Sequence, residues 1–322
     1  MGIQPPAVKH ALRDRNREES LSPEETLREV APGVFVTYGV IGTIDKRNRG
    51  FNGNAGFVVT EDGVVVIDAL GSPRLGREWL EAIRARTDKP IRYLILTHNH
   101  PDHSYGAIAF RRGTEATVIA HPGTERYLNS SQFEGSVAYR KKLLGGDFAG
   151  FAGVHPDRVV EPPFGEPLEL ELGGEEFRIY NVGGHHSFGD LVIHMPKRGI
   201  TWVGDLYFQN RTTYMLDGDL EDYFRADRLA KGLRTRLMIP GHGIVQEGPP
   251  FPMRQRTVSY VTRLRDMMRK AVENMTPLSR AVDKAAKAFP EWEHTALFEE
   301  NHRKNANFVY TEMEKALLFG GQ

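Results

Sequence analysis

The chain has 322 residues, 40% of them hydrophobic, and carries 42 basic and 42 acidic side chains for a formal net charge of zero. That length and apolar content fit one large domain or two small ones, and the charge balance argues against a broad nucleic-acid-binding face, which needs clustered positive charge. Cysteine is absent, so no disulfide or thiolate is available and any metal site must use histidine and carboxylate.

Residues 1–20 are polar and charged and read as a loose N-terminal extension. They lack the apolar core of a secretory signal, and no later run reaches the roughly 18 apolar residues of a membrane span. A cytoplasmic protein without membrane contact is therefore expected; a periplasmic one stays open if the start is processed. Ser22-Pro23-Glu24-Glu25 is a capping box with proline at the first helical position, which predicts a short helix running to Val30. The runs VFVTYGVI, GFVVT and VVVIDAL predict strands, the last two joined as a hairpin through Glu61-Asp62-Gly63. Leu75, Trp79, Leu80 and Ile83 share one face of a helix over 74–86. A strand over 91–96 leads to THNHPDHSYG (97–106), and a helix is expected from Asp102 to Arg111. A strand (116–120) and a helix (123–129) follow. Residues 130–160 are mixed in character and read as an insertion or lid. FRIYNV, LVIHMP and ITWVGD predict three more strands, ADRLAKGL a helix and LMIPGHG a strand ending in a turn. Residues 254–318 are helical in pattern, with breaks near Pro277 and Pro290. Two sheets between helical layers fit this order.

The 97–106 stretch concentrates chemistry. His98 and His100 stand at i and i+2, so on extended backbone both point to one side and can reach one cation. Asp102 and His103, at the start of a helix, can share a second cation beside it. Single residues at later strand ends can complete the set: His185 or His186 in GGHHSFGD, Asp205 in VGDLYF and His242 in PGHG. Five histidines and two aspartates from four segments would then converge on one rim, with glycines allowing close backbone approach.

These stations resemble the metallo-β-lactamase superfamily. THNHPDHSYG matches its THxHxDHxxG motif, and GGHHSFGD, VGDLYF and IPGHG match its remaining motifs in order. NAGFVVTEDGVVVIDAL, with Asp68, resembles its opening hairpin. The C-terminal helices are similar to those of its quinoprotein-relay and sulfur-oxidation-associated members. The resemblance implies an α/β fold, a four-layer αββα sandwich with a C-terminal helical extension: the superfamily-like domain over 21–275, with helices 276–322 packed on it. It implies a binuclear metal centre, two zinc ions per chain, with iron or manganese also suited to the donors. Carried over, His98, His100 and His186 hold the first metal, Asp102, His103 and His242 the second, and Asp205 bridges. His186 is preferred to His185 because His186-Ser187-Phe188-Gly189 fits the family's His-Ser/Thr-x-Gly. The chain lacks the cysteine ligand of subclass B1 β-lactamases, and has His100 where the di-iron oxygen reductases of this fold carry glutamate.

A metal pair lowers the pKa of a shared water, so the reading expects a bridging hydroxide that attacks an ester, lactone, thioester or amide. Asp102 would also orient that nucleophile and carry its proton to the leaving group. The alternative is a mononuclear iron enzyme of the same fold acting on a persulfide or another sulfur substrate. Asp68 and Thr97 are expected to support the ligands from outside. The loop 42–54, with Lys46, Arg47, Arg49 and Phe51, reads as a flap. Phe51, Tyr105, Phe188, Tyr207 and Tyr214 are candidates to line a substrate pocket, and Arg211 to pair with a substrate carboxylate. The expected partner is a small-molecule substrate, with no nucleic acid, and a homodimer is possible.

Overall fold

The computed structural model describes residues 21–319; the expected loose extension over 1–20 lies outside them. Two sheets stack face to face. The first has strands β1 (Arg28–Ala31), β2 (Val34–Thr37), β3 (Ala55–Val59), β4 (Val64–Ile67), β5 (Ile91–Ile95), β6 (Thr117–Ala120) and β7 (Arg158–Val159), paired in chain order. Pairing is antiparallel from β1 to β4 and parallel from β4 to β7. The second sheet runs β13-β12-β11-β10-β9-β8, from β8 (Pro167–Leu172), β9 (Glu175–Asn181), β10 (Leu191–Met195), β11 (Ile200–Gly204), β12 (Leu237–Pro240) and β13 (Gln246–Glu247).

Strand alternation divides the apolar residues between layers. In β4, Val65 and Ile67 enter the core between the sheets, while Val64 and Val66 face the outer helices. Successive side chains on a strand point to opposite faces, so an unbroken apolar run marks a strand covered on both sides. Helices α2 (Pro73–Arg84) and α4 (Ala107–Gly113) cover the first sheet. Helices α7 (Leu220–Gly232), α8 (Pro252–Glu273), α9 (Leu278–Ala285) and α10 (Phe298–Phe319) share a core with the second. This is the expected αββα order. No described helix is long and apolar enough to cross a membrane.

Several boundaries differ from the sequence reading. The first helix, α1, covers only Pro23–Thr26, although its capping box is present, and Arg28–Ala31 joins the sheet edge instead of extending it. The helix expected over 102–111 is two pieces, α3 (Pro101–Ser104) and α4. Gly106 lies between them, where a Cβ would stand 1.9 Å from the Ala69 carbonyl oxygen. In the stretch 130–160, helix α6 (Ser131–Leu144) follows the short α5 (Gly123–Leu128) and runs into a 3-10 turn at Gly145–Phe148.

Candidate metal centre

The site sits on the rim where strands of both sheets end. Asp68 follows β4, Thr97 to His103 follow β5, His186 lies between β9 and β10, Asp205 follows β11 and His242 follows β12. The two sheets are tied at this point: the Leu191 N–H donates to the Thr97 carbonyl at 2.7 Å, and His98 bridges Asp190. Asp190 fixes the GGHHSFGD loop by accepting the N–H groups of His186 (2.9 Å) and Ser187 (3.1 Å). At Gly241 a Cβ would fall 2.1 Å from Asp205 Oδ1, so only glycine lets this backbone pass the carboxylate.

Two groups of donor atoms result. His98, His100, His186 and Asp205 form one, and Asp102, His103 and His242 the other, each gathered within 4.8 Å. Asp205 joins them. Its Oδ2 lies 3.0 Å from His242 Nε2, 3.2 Å from His186 Nε2 and 3.9 Å from His98 Nε2, and its Oδ1 lies 3.4 Å from His103 Nε2. Asp102 Oδ2 is 3.5 Å from His242 Nε2 and accepts from Asn52 Nδ2 at 3.0 Å. His185 stands outside both groups and faces the core beside Tyr223.

The outer face of each imidazole is occupied. Thr97 Oγ1 is 3.0 Å from His98 Nδ1, Asp217 Oδ2 is 3.3 Å from His100 Nε2, and Asp68 Oδ2 is 2.9 Å from His103 Nδ1. The Tyr214 carbonyl is 2.9 Å from His186 Nδ1, and Arg211 Nη1 is 3.3 Å from His242 Nδ1. Four of these rings thus have an acceptor behind them and the other nitrogen turned to the centre, the arrangement that outer partners give ligand histidines, whereas at His242 the Arg211 guanidinium can only donate, to an unprotonated Nδ1. His98 Nε2 and Asp205 Oδ1 are buried and have no hydrogen-bond partner. A buried polar atom without a partner is costly, and a cation would satisfy both. The residues present therefore fit a metal.

The charges are consistent with this fit. Burial alone would raise the Asp102 carboxyl, but His103 and His242 hold it below the usual carboxylate range. Burial opposes a charged His103, yet Asp205, Asp102 and Asp68 push it up to about 9. Burial also opposes ionisation of Asp205, and His242 and His103 outweigh it, holding Asp205 well below its ordinary value. The carboxylates thus draw positive charge to His103 and, through Asp205, to His186 against the cost of burial, while burial holds His98 and His242 below their ordinary values.

Above the donors lies a cavity of about 350 Å³. His100, Asp102, His186 and Asp205 form its floor. Arg211 and Tyr214 line it, as do Tyr127, Gln132, Ser136 and Arg140 on α5 and α6. Four pocket candidates are placed elsewhere. Phe51 and Tyr207 are fully buried in the cores, Tyr207 donating to Asp227 at 2.8 Å. Tyr105 is buried under α6, with its hydroxyl 2.9 Å from that of Tyr127. Phe188 lines a neighbouring groove with His121 and Arg126. Tyr105, Phe188 and Tyr207 each follow a ligand residue closely in sequence, yet the turns there send neighbouring side chains into different layers. The 42–54 loop reaches the cavity through Thr43, Ile44 and Asn52, while Arg49 turns away from it to pair with Glu78 at 2.8 Å. Asn52, Asp217, Arg140 and Asn301 lacked any motif to reveal them; only the fold brings them to the site.

Comparisons with known proteins agree with this geometry. The family model described as the metallo-beta-lactamase superfamily matches residues 48–242, more than half of the chain. The chain is 23% identical to the 2,4-dinitroanisole O-demethylase subunit alpha of Nocardioides sp., over 56% of this chain and 50% of that one. It thus spans about half the length of that relative. It is 24% identical to metallo-beta-lactamase IND-1 of Chryseobacterium indologenes, over 65% of this chain and 77% of that one. Among solved structures, the inverting sec-alkylsulfatase Pisa1 of Pseudomonas sp. is similar with a TM-score of 0.69 at 16% identity, over 95% of this chain and 54% of that one. The chain belongs to the metallo-beta-lactamase superfamily.

Proposed function

We propose that the chain is a hydrolase with a two-metal centre that opens an ester or similarly activated electrophile. The observation that carries this reading is the pair of donor groups sharing Asp205 beneath a cavity of small-molecule size. His98, His100 and His186 would hold one ion and Asp102, His103 and His242 the other, with Asp205 between them. Zinc is the first candidate, since the donors are imidazole and carboxylate only. Bound there, the pair would supply an activated water and stabilise negative charge on the substrate. Asn52 orients the Asp102 carboxylate, which faces both the donors and the cavity and can take up a proton. Two donor groups favour this over a single iron site.

Arg140 supports an anionic substrate. Its Nη1 donates to Ser136 Oγ at 3.3 Å, its Nε has no partner, and no carboxylate forms an ion pair with it among the described residues. The Pseudomonas sulfatase is by its name an enzyme of sulfate esters, an anionic class. Protein purified without added metal should carry two transition-metal ions per chain by elemental analysis. It should turn over at least one of an alkyl sulfate, an aryl ester, a lactone, a glutathione thioester and nitrocefin, and lose that activity to a chelator. Metal-free protein that no loading condition repairs would overturn the reading. Losing one charge-assisted hydrogen bond costs about 1.5–3 kcal/mol. Arg140→Met should therefore raise KM about tenfold or more for a carboxylated aryl ester and leave KM for the neutral ester unchanged. Paired Michaelis curves check this.

A further inference from the structure

The outer partners of three ligand histidines come from one short segment. Arg211 stands behind His242, the Tyr214 carbonyl behind His186 and Asp217 behind His100. Residues 210–217 belong to no helix or strand, so the sheets do not hold them. The Arg211 guanidinium donates to the Ile41 and Gly42 carbonyls, and the backbone of the segment is held by the start of α10 and the residues just before it.

Six hydrogen bonds make this strap. The Thr212 N–H donates to the Ala296 carbonyl at 2.8 Å, and the Ala296 N–H to the Asn210 carbonyl at 2.8 Å. The hydroxyls of Thr212 and Thr295 meet at 2.6 Å. Asn301 Nδ2 donates to the Thr212 carbonyl at 3.2 Å. Asn305 Nδ2 donates to the Thr213 carbonyl at 2.8 Å, and Asn305 Oδ1 accepts from the Met215 N–H at 3.2 Å. Asn305 Nδ2 also donates to the Tyr260 hydroxyl at 3.1 Å, and Asn305 has no exposed surface, so none of its three bonds can be replaced by water. Leu297 and Asn301 also line the cavity, so the same helix start forms part of the wall facing the metal centre.

From this we infer that the C-terminal helix is a positioning element of the metal centre, with Asn305 as its main positioning residue. It fixes the 210–217 backbone, and that backbone sets the orientation of His100, His186 and His242. The inference rests on the two-metal reading and adds a role for residues about 200 positions from the His98–His103 cluster.

The experiment is zinc affinity of the full-length chain, measured by competition with a chromogenic chelator. Outer partners of ligand histidines are worth about 10–100-fold in metal affinity. Asn305→Ala should weaken zinc by tenfold or more and should change the visible absorption of the cobalt(II)-substituted protein, which reports ligand geometry. Tyr310→Phe is the control. Tyr310 lies on the same helix, its hydroxyl donates to the Thr276 carbonyl at 2.8 Å, and no hydrogen bond joins it to 210–217 among the described residues. It should lower Tm and leave zinc affinity within twofold of wild type. Asn301→Ala replaces Asn305→Ala if the latter does not fold, with the same direction expected. The inference is overturned if the asparagine variant binds zinc as the wild type does. It is also overturned if Tyr310→Phe weakens zinc as much for the same loss of Tm. A wild-type chain that takes up no zinc would instead sink the metal reading itself, so the two failures are told apart.

Discussion

Asp205→Ala is expected to reduce bound metal from two ions per chain to one or none, and to lower turnover by more than 100-fold. Among the described residues its carboxylate is the group that lies within 4 Å of imidazoles in both donor groups, Oδ2 facing His98, His186 and His242 and Oδ1 facing His103. Outer partners are worth up to about 100-fold, and a group facing the donors on both sides should exceed that. The side chain is also nearly fully buried among those rings. Deleting it leaves His186 Nε2 and His242 Nε2 without their acceptor in the metal-free protein. Each buried donor left unpaired costs about 1–3 kcal/mol, so metal-free Asp205→Ala should also melt at lower temperature. Asp205→Asn keeps the shape and loses the charge. It should retain more stability than the alanine variant but little more metal. Elemental analysis, thermal melts and turnover of the three proteins check this. A fully active Asp205→Ala protein holding two ions would refute the bridging role.

The sheets and the ligand stations could be read from the sequence for a shared reason. Runs such as VVVID and ITWVGD are apolar on both faces, so both faces must be covered, and the polar residue that ends each run marks the rim. His98, Asp205 and His242 announce themselves because each is a polar group at such an end. Asp217, Asn301 and Asn305 do not. They sit in a loop and a long helix whose register toward the site depends on how α10 docks, and docking leaves no local pattern. Tyr207 shows the same limit from the other side. It is two residues past Asp205 and near the metal centre in sequence, yet its ring enters the core beneath α7 and α8. The break at Gly106 was equally hidden, because the glycine is required by the Ala69 carbonyl of a different segment.

Asp68→Asn should weaken metal binding by about 10–100-fold while leaving the fold nearly intact. Asp68 has φ +63°, the left-handed region that asparagine tolerates well, so the substitution adds no backbone strain. The change is therefore confined to hydrogen-bond chemistry. Asp68 Oδ1 accepts the Thr97 N–H at 2.8 Å, and Oδ2 accepts the Thr97 hydroxyl at 2.8 Å and His103 Nδ1 at 2.9 Å. Three donors thus converge on two carboxylate oxygens. An asparagine has one oxygen and one NH2 group. If its oxygen keeps the Thr97 N–H, its NH2 faces His103 Nδ1, a donor against a donor. His103 can relieve that clash only by rotating or by moving its proton to Nε2, the nitrogen turned toward Asp205 and His242. Either response removes a ligand atom from the centre. Asp68→Ala loses all three acceptor contacts and puts a side chain without hydrogen-bonding capacity at a positive φ. It should cost several kcal/mol of stability on top of the lost affinity. Chelator competition separates the variants by affinity and thermal melts separate them by stability. An asparagine variant with wild-type affinity would show that His103 does not depend on Asp68 for its orientation.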